Sequence, residues 1–573
     1  MLRPRDIEKI EYHDAPSGKY AKDKLVVNFI TKQYRYGGYV QADGLQTIGY
    51  DYGDYNVATN YVKGNNSYTV FAGANYSHVD GTETWNNENY LFPQSLFDRE
   101  SYSKNSYRNH QEYMQFRYQN QKGKRYWVGK FTLVNLSTPR NASSGFARES
   151  TETDIFSNIR KKSLSPKIDL NANLPLSKNQ TLTLGVHGKY SANSYHRLYQ
   201  EQPFEAMTDE DEKALWFQLS AIYNYFSQKH SLSVELFHYH DVWNADYSGN
   251  CELWQHLWKG ESLAFFSYNF QASRRLSLKT RIGLDWLQYH LHGDNSFSQL
   301  SPRINTNVQY QLNKGMLLWS FNFVNSNHGM DVINRAMIQV NSHMMEKGMP
   351  ELKKSHDINT YLYYMGRFNR LSVSAIGQFR YNHHPVTDDY YLDEANGKIV
   401  KTYSNGGNAQ YYSAILALQY KLCKFANLSG DIRYSHAEVK TTWSKHNNNL
   451  TGNLGLNMFM GDFALKPYLH FGKKSLDEAA WVISKTPIDY GMSCSYSRGN
   501  LYVELQAVSP FKKQEKRYWL DLPIYSYSKS IKDQTASQYA SIKVAYSFDF
   551  GRKTQKVEKD VNKNINSSLL RVE

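Results

Sequence analysis

The 573-residue sequence has no run of about 18 apolar residues, the length that a transmembrane helix needs. Its first ten residues, MLRPRDIEKI, lack the apolar core of a secretion signal. Only three cysteines occur, Cys251, Cys423 and Cys494, and their wide spacing predicts neither a disulfide scaffold nor a zinc site. Charged residues make up only 21%, which is few for the helix surfaces of a soluble protein.

Signatures of catalysis and of nucleic-acid binding are also missing from the sequence. It contains no Gly-x-Ser-x-Gly, no His-Glu-x-x-His and no phosphate loop, so we expect neither an enzyme nor a bound cofactor. The net charge of +14 comes from Lys and Arg spread along the chain, with no basic helix, so we expect no nucleic-acid partner. Two histidine pairs at two-residue spacing, His238 with His240 and His290 with His292, make metal binding conceivable, but the pattern equally suits polar lining residues, and we expect no metal site.

Aromatic residues, by contrast, are abundant at 15%, and apolar and polar residues alternate along most of the chain. In YASIKVAYSFDF, residues 539–550, one face is apolar and the opposite face carries most of the polar residues. The apolar face consists of Ala540, Ile542, Val544, Tyr546, Phe548 and Phe550. A period of two is typical of β-strands, and this composition suits strands with one apolar and one wet face.

The connections between these strands alternate between short and long. Short turns are predicted at 63–67, 121–125, 177–180, 227–230, 273–275, 313–315, 369–370, 422–424, 461–462 and 498–500. Longer connections are predicted at 79–105, 138–161, 194–211, 244–258, 328–356, 383–407, 475–485 and 512–535. This alternation is typical of a barrel in a bilayer, which has tight turns at one rim and long loops at the other.

The segments between these connections predict an all-β fold, a transmembrane antiparallel β-barrel of about 22 strands, with short periplasmic turns and long extracellular loops. A closed barrel is favoured because hydrocarbon does not tolerate the unpaired edges of an open sheet. A soluble β-propeller is the alternative, but no blade repeat of about 40–50 residues is found.

The beginning of the chain, DIEKIEYHDAPSGKYAKDKLVVNFITK, resembles the end of the plug domain of TonB-dependent outer-membrane receptors. The matching positions are Ile7, Glu8, Ile10, Glu11, Pro16, Ser17, Gly18, Val26, Asn28, Thr31 and Lys32, with Phe29 where Ile is usual. EKGMPELKKS, residues 346–355, is similar to a Gly-Asn-Pro-x-Leu stretch of the family, with Met349 replacing Asn. The last strand resembles the closing strand of the Bacteroidota members.

The resemblance implies three regions and a transport function. Residues 1–35 would be the C-terminal remnant of a plug, 36–550 the barrel, and 551–573 a polar periplasmic tail. The chain would be the barrel of a receptor in the bacterial outer membrane, taking up a siderophore, an oligosaccharide or a peptide, and truncated within its plug. A plugless diffusion channel or a structural barrel is the alternative, and a soluble carbohydrate-binding β protein is a third.

The resemblance also implies the partners: outer-membrane lipid, an extracellular nutrient, a surface lipoprotein, and TonB if the rest of the plug is present. The candidate substrate-binding residues come from the sequence itself, in VWNADYSGNCELWQHLW. They are the aromatic residues Trp243, Tyr247, Trp254 and Trp258. Several exposed aromatic rings in one loop could stack on a sugar or hold an aromatic ligand, although packing within the loop or the membrane interface would also explain them.

Overall fold

The computed structural model describes residues 7–13, 26–31, 36–92, 95–294, 296–326, 329–511, 514–532, 537–551, 561–565 and 567–571. No helix in this part of the chain is long and apolar enough to cross a membrane.

The first half of the chain forms fifteen strands. They are β1 Ile7–His13, β2 Val26–Thr31, β3 Tyr36–Ile48, β4 Asp51–Lys63, β5 Asn66–Phe92, β6 Ser95–Lys122, β7 Arg125–Arg148, β8 Glu152–Ser177, β9 Gln180–Glu201, β10 Phe204–Phe226, β11 His230–Gly249, β12 Leu253–Gln271, β13 Leu276–Leu291, β14 Ser296–Leu312 and β15 Gly315–Ser326.

The second half continues the sheet with shorter strands. They are β16 Met337–Gln339, β17 Met344–Lys347, β18 Ser355–Phe368, β19 Leu371–His383, β20 Val386–Asp393, β21 Lys398–Asn405, β22 Asn408–Lys421, β23 Ala426–Lys440, β24 Ser444–Met460, β25 Phe463–His470, β26 Lys473–Asp477, β27 Val482–Thr486, β28 Asp489–Arg498, β29 Leu501–Val508, β30 Glu515–Asp521, β31 Tyr525–Lys532 and β32 Tyr539–Gly551.

Twenty-two of these strands close into one antiparallel barrel, as the sequence predicts. Strands β3 to β15 pair in chain order, and β18, β19, β22 to β25, β28, β29 and β32 complete the circle. The barrel closes where β3 pairs with β32, from Gly37 opposite Gly551 to Ile48 opposite Ala540. A closed sheet leaves no edge of unpaired backbone groups, which is what a bilayer requires.

Side chains alternate between an apolar outer face and a polar lumen. On β10, Leu215 and Leu219 point outward and are nearly half exposed, whereas Glu210 and Glu212 point inward and are buried. On β32, the outward Ile542 is 39% exposed while Ser541 is 6% exposed, so the predicted faces of this strand are confirmed. Outward apolar side chains on strand after strand form the band that lipid would cover.

The ten predicted short turns are confirmed, and they all lie at one end of the barrel, which we call the turn end. The opposite end, the loop end, differs from the prediction. Most residues of the predicted long connections 79–105, 138–161, 194–211 and 244–258 are strand, because β5 to β12 continue well beyond the apolar band. Alternation is weak in these extensions because water lies on the outer face of the sheet there, so polar residues are accepted on both faces.

Two longer connections fold inward at the loop end. The β15–β18 and β19–β22 connections contribute β16, β17, β20 and β21, which pair in the order β16-β17-β21-β20. We call this four-stranded sheet the loop sheet. Two further hairpins, β26–β27 and β30–β31, extend the wall upward and join it to β5.

The segment that resembles a plug forms a sheet separate from the barrel. Strand β1 pairs antiparallel with β2, so that Ile10 lies opposite Phe29 and Glu11 opposite Asn28. Of the eleven positions that carry the resemblance, Pro16, Ser17, Gly18 and Lys32 lie outside the described residues. The pairing agrees with a hairpin, but whether it is a plug remnant stays a prediction.

Candidate functional site

The loop sheet and its flanking residues pack against the inner wall near the loop end. Ile333 and Leu352, both at most 2% exposed, join Leu257 of β12 and Leu291 of β13 in one apolar cluster. Tyr289 of β13 donates its hydroxyl proton to the Leu352 carbonyl oxygen at 2.6 Å. These contacts fix the inward-folded connection to the wall and narrow the lumen there.

Residues 561–565 and 567–571, which follow the last strand, lie inside the lumen against β5 to β11. Leu569 and Leu570 are each 2% exposed and pack with Ala245, Tyr247 and Ile338. The sequence predicts a polar periplasmic tail over residues 551–573, so the buried position of this stretch was not predicted. The pair of leucines was the available signal for it.

The inner wall binds this segment mainly through its main-chain atoms. The Lys167 ammonium group on β8 donates to the carbonyl oxygens of Asn562 at 2.7 Å and Asn564 at 2.8 Å. Glu212 on β10 accepts hydrogen bonds from the Ser568 amide at 2.6 Å and from the Ser568 hydroxyl at 2.5 Å. Charged partners make such hydrogen bonds stronger than neutral ones.

Two neutral side chains complete the contacts on the other side of Ser568. Asn334, in the β15–β18 connection, donates from its amide nitrogen to the Ser568 carbonyl oxygen at 3.0 Å. The same nitrogen donates to the Tyr247 hydroxyl at 2.7 Å, and that hydroxyl oxygen also accepts the Leu570 amide proton at 3.0 Å. The wall and the inward-folded connection thus hold the segment between them.

A second carboxyl, Glu210, lies next to this site without a hydrogen-bond partner among the described residues. It is 1% exposed, and neither of its carboxylate oxygens accepts a hydrogen bond there. The outward neighbours Asp209 and Asp211 place this part of β10 outside the apolar band. Burial raises the pKa of the Glu210 carboxyl to about 8, although the nearby Arg571 opposes the rise.

Comparisons with known proteins agree with this architecture. No family model and no curated protein matches the sequence. Among solved structures, the copper transporter OprC superposes with a TM-score of 0.63 at 11% identity. The match covers 92% of this chain and 83% of the OprC chain. A ferric enterobactin receptor from Pseudomonas aeruginosa gives 0.60 at 10% identity, covering 91% and 83%. The FrpB iron transporter from Neisseria meningitidis gives 0.57 at 8% identity, covering 96% and 88%.

The fold is that of a TonB-dependent outer-membrane receptor barrel. Identities this low establish the fold and nothing about the ligand.

The four predicted substrate-binding residues do not lie in one loop of the barrel. Only residues 250–252 connect β11 to β12, and the four side chains lie on these two strands. Trp243 and Tyr247 face the lumen and are 5% and 4% exposed, whereas Trp254 is 52% exposed on the outer face. Trp258 is also on the outer face, stacked with His240 at 5.8 Å between ring centres. Any ligand contact by these residues stays a prediction.

A buried ion network anchors the loop sheet to the wall of the barrel. Arg99 on β6 is 4% exposed and donates to Glu88 at 2.6 Å and to Glu201 at 3.0 Å. Ser342, between β16 and β17, donates to the other oxygen of Glu201 at 3.2 Å. No signal in the sequence pairs these residues, because Arg99 lies on β6 and Glu201 on β9, with β7 and β8 between them.

The sequence predicts no metal centre, although it contains two closely spaced histidine pairs. Within the part of the chain that the structure describes, no group of three or more His, Cys, Asp or Glu side chains could hold a metal ion. The rings of His238 and His240 lie 6.1 Å apart on the outer face.

Proposed function

We propose that the chain is the barrel of a bacterial outer-membrane receptor that imports a nutrient with the help of TonB. The observation that supports this most strongly is the closed barrel of 22 strands, apolar outside and polar inside. A barrel of this size encloses a lumen wide enough to pass a bulky ligand and to need a plug. The outer membrane is the membrane in which such barrels reside.

The nutrient is a siderophore, an oligosaccharide or a peptide. Similar structures carry the descriptions copper transporter, ferric enterobactin receptor and iron transporter, which supports nutrient uptake in general. Ligand binding belongs to the lumen near the loop end, where Trp243 and Tyr247 face inward and where the loop sheet narrows the passage.

TonB acts through the plug, of which residues 1–35 are the C-terminal remnant. The support for this is the β1–β2 pairing of Ile7–His13 with Val26–Thr31, which puts the resembling positions into one small sheet outside the barrel. An extracellular nutrient, outer-membrane lipid and a surface lipoprotein are the remaining partners of this proposal.

Two measurements test the proposal. We expect the folded chain to migrate faster than the heated chain in a detergent gel, because a closed barrel resists unfolding in detergent. Deletion of the gene should then reduce growth on one class of nutrient, and the uptake should depend on TonB. A chain that shows no heat-dependent migration, or that accumulates in the soluble fraction, would refute the proposal.

A plugless diffusion channel is the second candidate. It is favoured by the polar lumen that the 22 strands enclose, which by its width alone would let small solutes pass. Single-channel conductance of the purified chain separates the two candidates. A silent, closed barrel would exclude the channel, and a steady large conductance would favour it.

A further inference from the structure

The lumen wall binds residues 561–565 and 567–571 through groups that every peptide carries. The wall contacts the carbonyl oxygens of Asn562, Asn564 and Ser568 and the amide groups of Ser568 and Leu570. Among the described residues, one hydrogen bond to the wall comes from a side chain of the segment, that of the Ser568 hydroxyl to Glu212. The hydrogen bonds to the wall are therefore mostly independent of the side chains of the bound segment.

The bonded groups also show the conformation that the wall selects. The carbonyls of Asn562 and Asn564 are two residues apart, and so are the amides of Ser568 and Leu570. One ammonium group reaches both carbonyls, and Asn562 Oδ1 accepts the Asn564 amide proton at 2.9 Å, so the segment turns there. Ser567 Oγ accepts the Leu569 amide proton at 3.2 Å in the same way, and the wall binds main-chain groups that these two turns do not use.

Two apolar pockets add side-chain selectivity at either end of the segment. Leu569 and Leu570 are buried beside Ala336 and Tyr247, near the loop end. Val561 and Ile565 pack against a cluster of Phe71, Tyr113 and Val134 on β5 to β7. Asn562 and Asn564 contact the wall through their carbonyls, and the Lys563 ammonium group lies 4.3 Å from the centre of the Tyr113 ring.

The wall side of the site is positioned by its own contacts. Glu212 is 2% exposed, and its second carboxylate oxygen accepts a hydrogen bond from Asn193 at 2.6 Å. Lys167 is 6% exposed, and Tyr247 is held by Asn334. A lumen that merely conducts water has no need of a buried lysine and a buried glutamate aimed at main-chain groups, since burying charges is costly unless they are paired.

We infer that the lumen face of β5 to β11, with Asn334, is a binding site for the main chain of a peptide, and that residues 561–565 and 567–571 occupy it as an intramolecular ligand. The site takes a chain with a small hydroxyl residue followed by two apolar residues. This inference deepens the proposed function, because it names a peptide as the class of nutrient. The attached segment competes with any incoming peptide.

The attachment sets the strength of this competition. A tethered ligand of this kind has an effective concentration of about the millimolar range. An external peptide must therefore exceed that concentration, or the segment must first be released. A released segment leaves Lys167 and Glu212 facing the lumen, ready to bind main-chain groups of another peptide.

The test uses the full chain in detergent micelles and a fluorescent synthetic peptide with the sequence of residues 561–571. Replacing Leu569→Asp together with Leu570→Asp releases the attached segment, because two charges do not enter the apolar pocket. We expect the released chain to bind the peptide and the wild-type chain to bind it at least about tenfold more weakly. Adding Lys167→Met to the released chain should weaken binding about tenfold or more, because two charge-assisted hydrogen bonds are lost.

Two controls show whether main-chain groups are recognised. A peptide methylated on the amide nitrogens of Ser568 and Leu570 keeps its side chains but loses both donors, and we expect it to bind at least about tenfold more weakly. Ser320→Ala also removes a buried hydroxyl from the lumen face, on β15, where no contact with the segment is found among the described residues, so it should leave binding unchanged. Equal binding of the methylated and unmodified peptides, or no binding to the released chain, would overturn the inference.

A second readout does not depend on the released variant. In a chain whose three cysteines are replaced by serine, Leu569→Cys should react with a polar maleimide at least about tenfold more slowly than Lys178→Cys in the β8–β9 turn. Equal rates would mean that the segment does not occupy the site. Heat-dependent migration of the same samples distinguishes failure of the proposed function from failure of this inference. If the samples show no heat-dependent migration, the proposed function fails. If they show it but do not bind the peptide, only this inference fails.

Discussion

Removing Arg99 should destabilise the loop end of the barrel far more than removing an arginine on its surface. Arg99 donates to Glu88, to Glu201 and to the Tyr199 hydroxyl, and its side chain is 4% exposed. The partner carboxylates are also buried, with side-chain exposures of 7% and 9%. Arg99→Met keeps most of the side-chain volume and removes the charge.

The magnitude follows from what the substitution leaves behind. Two buried carboxylates lose their shared cation, and breaking a buried ion pair in this way costs about 3–5 kcal/mol. Arg148 is the matched control, since it also contacts two carboxylates, Glu100 at 3.7 Å and Glu152 at 2.7 Å, but is 53% exposed. Exposed pairs contribute only about 0–1 kcal/mol, so Arg148→Met should change little.

The assay is a denaturant titration of the two variants in detergent micelles, followed by tryptophan fluorescence. Because Ser342 and Asn341 connect the same network to the loop sheet, limited proteolysis between residues 329 and 354 should also be faster in Arg99→Met. Glu88→Gln should restore part of the loss by removing one unpaired charge. If Arg99→Met loses no more stability than Arg148→Met, the network does not anchor the loop sheet.

Three further predictions follow from burial and position. The pKa of Glu210 is raised from 4.5 to about 8, so between these pH values the folded chain keeps a proton that the unfolded chain releases. The free energy of unfolding should therefore fall as the pH rises from 4.5 to about 8. Glu210→Gln should flatten this pH dependence in denaturant titrations. Ile168→Arg, on the outer apolar face of β8, should cost about 2–4 kcal/mol of folding free energy in lipid vesicles, whereas Met207→Arg, outward on β10 but beyond the band, should cost about 0–1 kcal/mol. Trp243→Ala should lower the free energy of unfolding by about 3–5 kcal/mol and Trp254→Ala by far less, because only Trp243 is buried; equal losses measured by denaturation would contradict the assignment of faces.

The barrel could be predicted from the chain because its two main rules are local. In 539–550, side chains two residues apart share a face, whatever the rest of the chain does. Gly64, Gly123 and Gly461 adopt positive φ angles in turns. Such turn residues mark the ends of strands by a rule that is also local. Summed along the chain, these rules give the number of strands and the short turns.

The same local rules were insufficient beyond the apolar band. Residues 79–105 and 138–161 lose their alternation and were predicted to be loops, yet they continue β5 to β8 as strands. Each extension is stabilised by backbone pairing with its neighbour, which a one-dimensional pattern does not record. For the same reason Trp254 and Trp243 were grouped in one loop, although they lie on neighbouring strands and on opposite faces of the wall.

Alternation, turn chemistry and the family resemblance reside in the amino-acid order alone, and they were enough for the class of fold and for the proposed transport function. They were not enough to predict the lumen site, because Lys167, Glu212 and Asn334 meet the segment that follows the last strand only after the barrel has closed. These partners are hundreds of positions apart in the chain. Which inward side chains face one another across a lumen depends on the register and curvature of the whole sheet, and no short stretch of sequence carries that information.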